Sequence, residues 1–188
     1  MKKEVILSNG ISIIIKIPDD YSFERRYSDE YFSSLVFSNN NCEIFIVNDT
    51  LSFLAKTLYN SLIKIDERNV SEQSFNDGKS IGYYYNIYLH SIDEEIDFKE
   101  MGIKESEILE ETKYILFESQ EKTAWIYKYK SKYYFTITPN FLYHFDENCN
   151  IDKNDLFKDF LLNYKVIFCI EFSKNDIALL IDFISEYI

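Results

Sequence analysis

The chain has 188 residues, 46% of them apolar and 18% aromatic, which excludes a disordered polymer and fits a single domain with its own core. A net charge of −12, from 20 basic and 32 acidic residues, argues against direct nucleic-acid binding, because phosphate affinity grows with Lys and Arg contacts. No apolar run approaches the roughly 20 residues that span a bilayer, and "MKKEVILSNGISIII" is interrupted by Ser8-Asn9-Gly10 before it reads as a signal peptide.

The first predicted element is a hairpin. "EVIL" and "ISIIIKI" flank Asn9-Gly10, a pair that tolerates positive φ, and Pro18 ends the second strand. "DDYSFERRYSDEYF" is mixed and reads as irregular. "SSLVFS" and "CEIFIVN" then form two strands around Asn39-Asn40-Asn41. In "DTLSFLAKTLYNSLIKI", Leu51, Leu54, Ala55, Leu58 and Leu62 recur at helical spacing, with Asp49 or Thr50 as cap. Residues 66–80 are polar and read as a linker or mobile loop.

"IGYYYNIYL" is rich in Tyr and reads as a strand, followed by an acidic connection with a short helix near 104–111. "KYILFES" is a further strand. "TAWIYKYK" and "KYYFTIT" form a second hairpin; a three-residue loop at 130–132 sets Trp125 opposite Ile137, Tyr127 opposite Phe135 and Tyr129 opposite Tyr133. "FLYHF" adds a short strand after Pro139. "NDLFKDFLLNY" is a helix with Leu156, Phe157, Phe160 and Leu161 inward, and "KVIFCIEF" a buried strand holding Cys169 as a small core residue. The closing helix, "SKNDIALLIDFISEYI", opens on a capping box of Ser173 and Asp176 and carries Ile177, Leu180, Ile181 and Ile184 as its stripe. These elements predict an α+β fold: a largely antiparallel sheet of about seven or eight strands with three or four helices packed on it.

Chemistry is harder to find. "HFDENCNIDKND" alternates oxygen ligands like a calcium loop. Counted from Asp146, however, the sixth position is Ile151 where Gly is needed, and the twelfth is Phe157 where Glu must ligate. An Asx-rich turn capped by Asp152 or Asn154 accounts for the same oxygens. A thiol nucleophile needs a nearby His, and only Cys149 with His144 offers one. Zinc spacing, a P-loop and GxGxxG are all missing, so no metal and no cofactor is expected. Cys42, Cys149 and Cys169 show no CxxC spacing, which sets the expectation of free thiols in a reducing cytoplasm.

The charge layout is more informative. Between Asp93 and Glu121 eleven acidic residues face three Lys, so this stretch carries a net −8 of the total −12. Its densest part holds Asp93, Glu94, Glu95, Asp97 and Glu100, with Ile92, Ile96, Phe98 and Met101 interspersed to pin it to the body. A solvated face explains such a run. A docking surface for a basic protein explains it too, with Tyr83, Tyr84 and Tyr85 as aromatic anchors.

Three segments carry a resemblance. "IFIVNDTLSFLAKTLYNSLIK" looks like a strand-then-helix unit, "YKYKSKYYFTITPNFLYHF" like a hairpin ending in a Pro-His segment, and "IEFSKNDIALLIDFI" like a closing strand with a Ser-capped helix. Together they resemble immunity proteins of bacterial contact-dependent growth inhibition and related polymorphic toxin systems. That resemblance implies a non-enzymatic protein that binds a cognate toxin domain, often a nuclease, and blocks its active site or substrate groove. A nuclease groove is basic, so an acidic plug suits it. An antitoxin-like or phage-encoded adaptor, and an enzyme with a carboxylate or cysteine site, stay open beside it.

Overall fold

A computed structural model describes residues 1–18, 32–40, 42–72, 80–91, 97–103, 112–142 and 152–188. The chain is α+β, with two four-stranded antiparallel sheets. The first sheet is a meander of β1 (Lys2–Ile6), β2 (Ile11–Lys16), β3 (Phe32–Asn39) and β4 (Cys42–Thr50) in that order. The second orders β5 (Ile115–Glu118), β6 (Lys122–Tyr129), β7 (Lys132–Pro139) and β8 (Phe168–Phe172). Four α-helices lie among the described residues: α1 (Leu51–Ile63), α2 (Ile81–His90), α3 (Lys153–Leu162) and α4 (Lys174–Ser185).

The chain divides into two compact units, one of Met1–Asn69, Ile126–Phe135 and Ile170–Ile188, the other of Val70–Trp125 and Thr136–Cys169. In the first unit, the β1–β2 turn closes through the Gly10 N–H on Leu7 O at 3.0 Å, with Gly10 at φ +83°, where a side chain would be strained. Ile11, Ile13 and Ile15 of β2 and Leu35 and Phe37 of β3 are buried on the inward rows. Thr50 caps α1 by accepting the Phe53 N–H, and the helix packs on α4 and against β3 and β4 through the predicted stripe of Leu51, Leu54, Ala55, Leu58 and Leu62. Phe135 stacks on Phe37 at 4.4 Å and on Phe172 at 6.0 Å.

Asp176 carries the predicted capping box of α4. It is buried, and it accepts from the Ser173 N–H and hydroxyl at 2.9 and 2.6 Å and from the Ser8 N–H and hydroxyl at 2.8 Å each. Desolvation would raise its pKa, but these donors outweigh burial and hold the carboxyl below its ordinary value.

Three readings need correction. "IGYYYNIYL" forms helix α2, not a strand. Its richness in Tyr, a residue enriched in strands, suits a pleat, but tertiary contacts override propensity. Buried Asn86 donates to Gly82 O one turn back at 2.7 Å and to Pro139 O at 3.1 Å, and accepts the Phe141 N–H at 2.7 Å. A strand cannot place Gly82 and Asn86 together.

Strand β7 starts at Lys132, so the hairpin loop is Lys130-Ser131, with Lys130 at φ +56°. The partners shift by one residue, and Tyr127 stacks on Tyr134 at 5.7 Å. Strand β8 is only partly covered, with Val166 and Ile167 exposed before it and Cys169 exposed within it, because it is the last strand of its sheet. At the start of the polar segment 66–80, in the 3₁₀ turn Ile65–Glu67, Asp66 accepts from Lys128 Nζ at 2.6 Å and the Tyr133 hydroxyl at 3.0 Å; this does not test the reading of the segment as a linker. Its later part, the 104–111 helix and most of the Asn-rich loop lie outside the described residues, and Phe141 and Leu142 are in no strand.

Candidate functional site

The second unit presents a groove of about 360 Å³ lined by Tyr83, Glu100, Met101, Ile103, Lys158, Leu161 and Leu162. Three pieces of sequence build it. The first is the turn Asp97–Ile103, one described part of the acidic stretch. Asp97 Oδ1 accepts the N–H groups of Lys99 and Glu100 at 2.9 and 3.0 Å, as a helix N-cap does. Gly102 sits at φ +71°, with its N–H on Lys99 O and the Ile103 N–H on Phe98 O. That pair of bonds is a Schellman closure, so the turn is capped at both ends and holds its shape without a longer helix. Asn154 Oδ1 of α3 accepts the Asp97 N–H at 2.6 Å and ties the turn to that helix.

The second piece is α3. Asp152 caps it by accepting the Asn154 N–H at 2.8 Å, one of the two predicted caps. Phe157 is fully buried against Phe141, with Phe98, Met101, Leu156, Phe160 and Leu161 packed around them. Phe98 and Met101 thus pin the acidic turn as expected. His90 joins the same cluster, its ring 5.3 Å from Phe141 and 5.2 Å from Phe157. Leu162 follows Leu161 by one residue, about 100° around the helix, and stays 85% exposed.

The third piece is α2, which delivers Tyr83. Its ring is half-buried, edge-on to Tyr84 at 5.4 Å and to Tyr164 at 5.5 Å. Tyr84 and Tyr85 are buried instead. The Tyr85 hydroxyl donates to Glu118 at 2.7 Å, its ring packs edge-on against Trp125, and burial with the adjacent carboxylate pushes its pKa up. A helix turns consecutive Tyr residues to three directions, so only Tyr83 reaches the groove.

Of the residues singled out from sequence, Tyr83 and Glu100 therefore meet in one groove, and Asp97 holds the turn that carries Glu100. Asp93, Glu94 and Glu95 lie outside the described residues, as do His144 and Cys149. Lys158, Ile103 and Leu162 were not singled out. The one available signal was the Leu161-Leu162 pair, since an amphipathic helix that buries one of two adjacent Leu exposes the other.

Glu100 Oε1 lies 3.4 Å from Lys158 Nζ, and the same ammonium is 3.9 Å from Asp155. Both carboxylates are well exposed, Glu100 at 66%. Among the described residues the groove thus has an apolar floor and, at its rim, Glu100 paired with Lys158. Among the described residues no group of His, Cys, Asp and Glu could hold a metal ion, and no helix is long and apolar enough to cross a membrane. Comparison with protein-family models, with curated proteins and with solved structures finds no match.

Proposed function

We propose that this chain is an immunity protein: it binds a basic bacterial toxin domain through the acidic stretch and the groove beside it, and neutralises it without catalysis. One observation carries the reading. Among the described residues Glu100, in a stretch whose sequence carries a net −8, stands beside an apolar surface of Tyr83, Met101, Ile103, Leu161 and Leu162. An apolar patch beside a stretch rich in one sign of charge suits a docking face: charge steers the encounter and apolar side chains supply the buried centre.

Affinity capture from the native cell supplies the test. The captured protein is then expressed in a naive host with and without this chain. The reading expects growth arrest that co-expression relieves, and a partner that is basic and cytoplasmic in action. A partner that arrests nothing, or whose arrest persists despite complex formation, rejects it; a stable complex with a non-toxic protein establishes the adaptor instead.

A further inference from the structure

We infer that the groove accepts an arginine side chain from the partner, and that Lys158 is the internal cation this arginine displaces. The inference rests on the binding-protein reading above and names what its site recognises. The exposed ion pairs Lys16–Glu43, Lys128–Asp66 and Lys132–Glu171 close to 2.6, 2.6 and 2.7 Å. Lys158 instead donates to Glu100 at 3.4 Å, a longer bond, and stands 3.9 Å from Asp155, so it is shared between two carboxylates. The Glu100 carboxylate, 66% exposed, can still accept from an incoming donor.

A guanidinium suits Glu100 better than an ammonium. Its planar fork can bond both oxygens of Glu100, and its flat face can lie on the Tyr83 ring. The three-carbon stem would run along Leu161, Leu162 and Met101, which line the same groove. Its volume of about 360 Å³ is at the small end of ligand pockets and suits one or two side chains. A comparable groove in the first unit, beside Leu62, Ile65 and Ile177, makes the contrast: its carboxylate, Asp66, is already closed by Lys128 and Tyr133.

The chain has two methionines, Met1 and Met101. Methyl-¹³C-methionine labelling therefore yields one reporter in the groove and one control. The probes are N-acetyl-arginine amide, N-acetyl-lysine amide and N-acetyl-norleucine amide. The Met101 signal should move saturably with the arginine probe while Met1 stays still. The lysine probe should bind more weakly and the norleucine probe weakest. Glu100→Gln should weaken arginine binding about two- to five-fold, the range of an exposed ion pair, and Lys158→Gln should strengthen it by a similar factor. Equal response to norleucine, indifference to Glu100→Gln, or weaker binding by Lys158→Gln overturns the inference. No toxin takes part, so a positive result here with no growth rescue would reject the immunity reading alone, and rescue with no arginine response would reject this site alone.

Discussion

Gly82 and Asp176 show how much a single position carries. A Cβ at Gly82 would collide with Thr138 Oγ1 and come within 2.5 Å of Thr138 Cβ and the Tyr164 hydroxyl. Thr138 cannot yield easily, because it is buried and its Oγ1 accepts from Trp125 Nε1 at 2.7 Å. Gly82→Ala would gain about 1 kcal/mol of helix propensity, against an overpacking cost of about 1–3 kcal/mol. The variant should be less stable on balance, read as a lower urea midpoint. An unchanged or higher midpoint would mean α2 moves off Thr138 freely. Asp176 gives a pH signature. Its folded pKa lies below the ordinary carboxylate value, so its stabilisation is full above that value and disappears as pH falls through the folded pKa. Asp176→Asn should lower stability by about 1–3 kcal/mol at pH 7, the range for hydrogen bonds to a charged group. The gap from the parent protein should close progressively below about pH 4. A gap independent of pH would show that the lost charge is not the cause.

The elements that were legible from sequence are those whose signal is local. The stripe of α1, the capping box at Ser173 and Asp176 and the Asn9-Gly10 turn are each set by residues within a few positions of one another. Helix α2 was not legible, because its Tyr-rich composition favours a strand and the contacts that decide for helix, Asn86 to Pro139 and Phe141, come from more than 50 residues away. The groove was half legible: charge marked one wall, whereas its closure by Lys158 and Leu162 depends on how α3 meets the acidic turn. That turn permits a separation of shape from charge. Asp97→Ala removes the cap and should destabilise the turn by about 1 kcal/mol. Faster amide exchange at Glu100 and Ile103 would report it. Asp97→Asn keeps an acceptor oxygen and should leave exchange nearly unchanged while removing one negative charge. If both variants exchange alike, the side chain is not what orders the turn.

A net charge of −12 acts at a distance as well as by contact. Exposed charges more than a Debye length apart, about 8 Å at physiological salt, are largely screened from one another. A partner approaching one face therefore responds to the charges on that face more than to the sum. This makes placement testable against total charge. Reversing Asp93, Glu94, Glu95 and Asp97 to Lys changes the net charge by +8 in the acidic stretch. Asp182→Lys with Glu186→Lys, both exposed at the end of α4, changes it by +4 in the other unit. The fourfold variant should slow association with the captured partner by about ten-fold or more at low salt, the lower range of electrostatic steering. Most of that loss should vanish near 1 M salt, where the Debye length is about 3 Å. Dissociation should change less, since rim charges act chiefly on the encounter. The α4 variant should slow association by far less than half as much on a logarithmic scale. Proportional slowing by the two variants would make the partner a reader of bulk charge, and the acidic stretch an ordinary part of the surface.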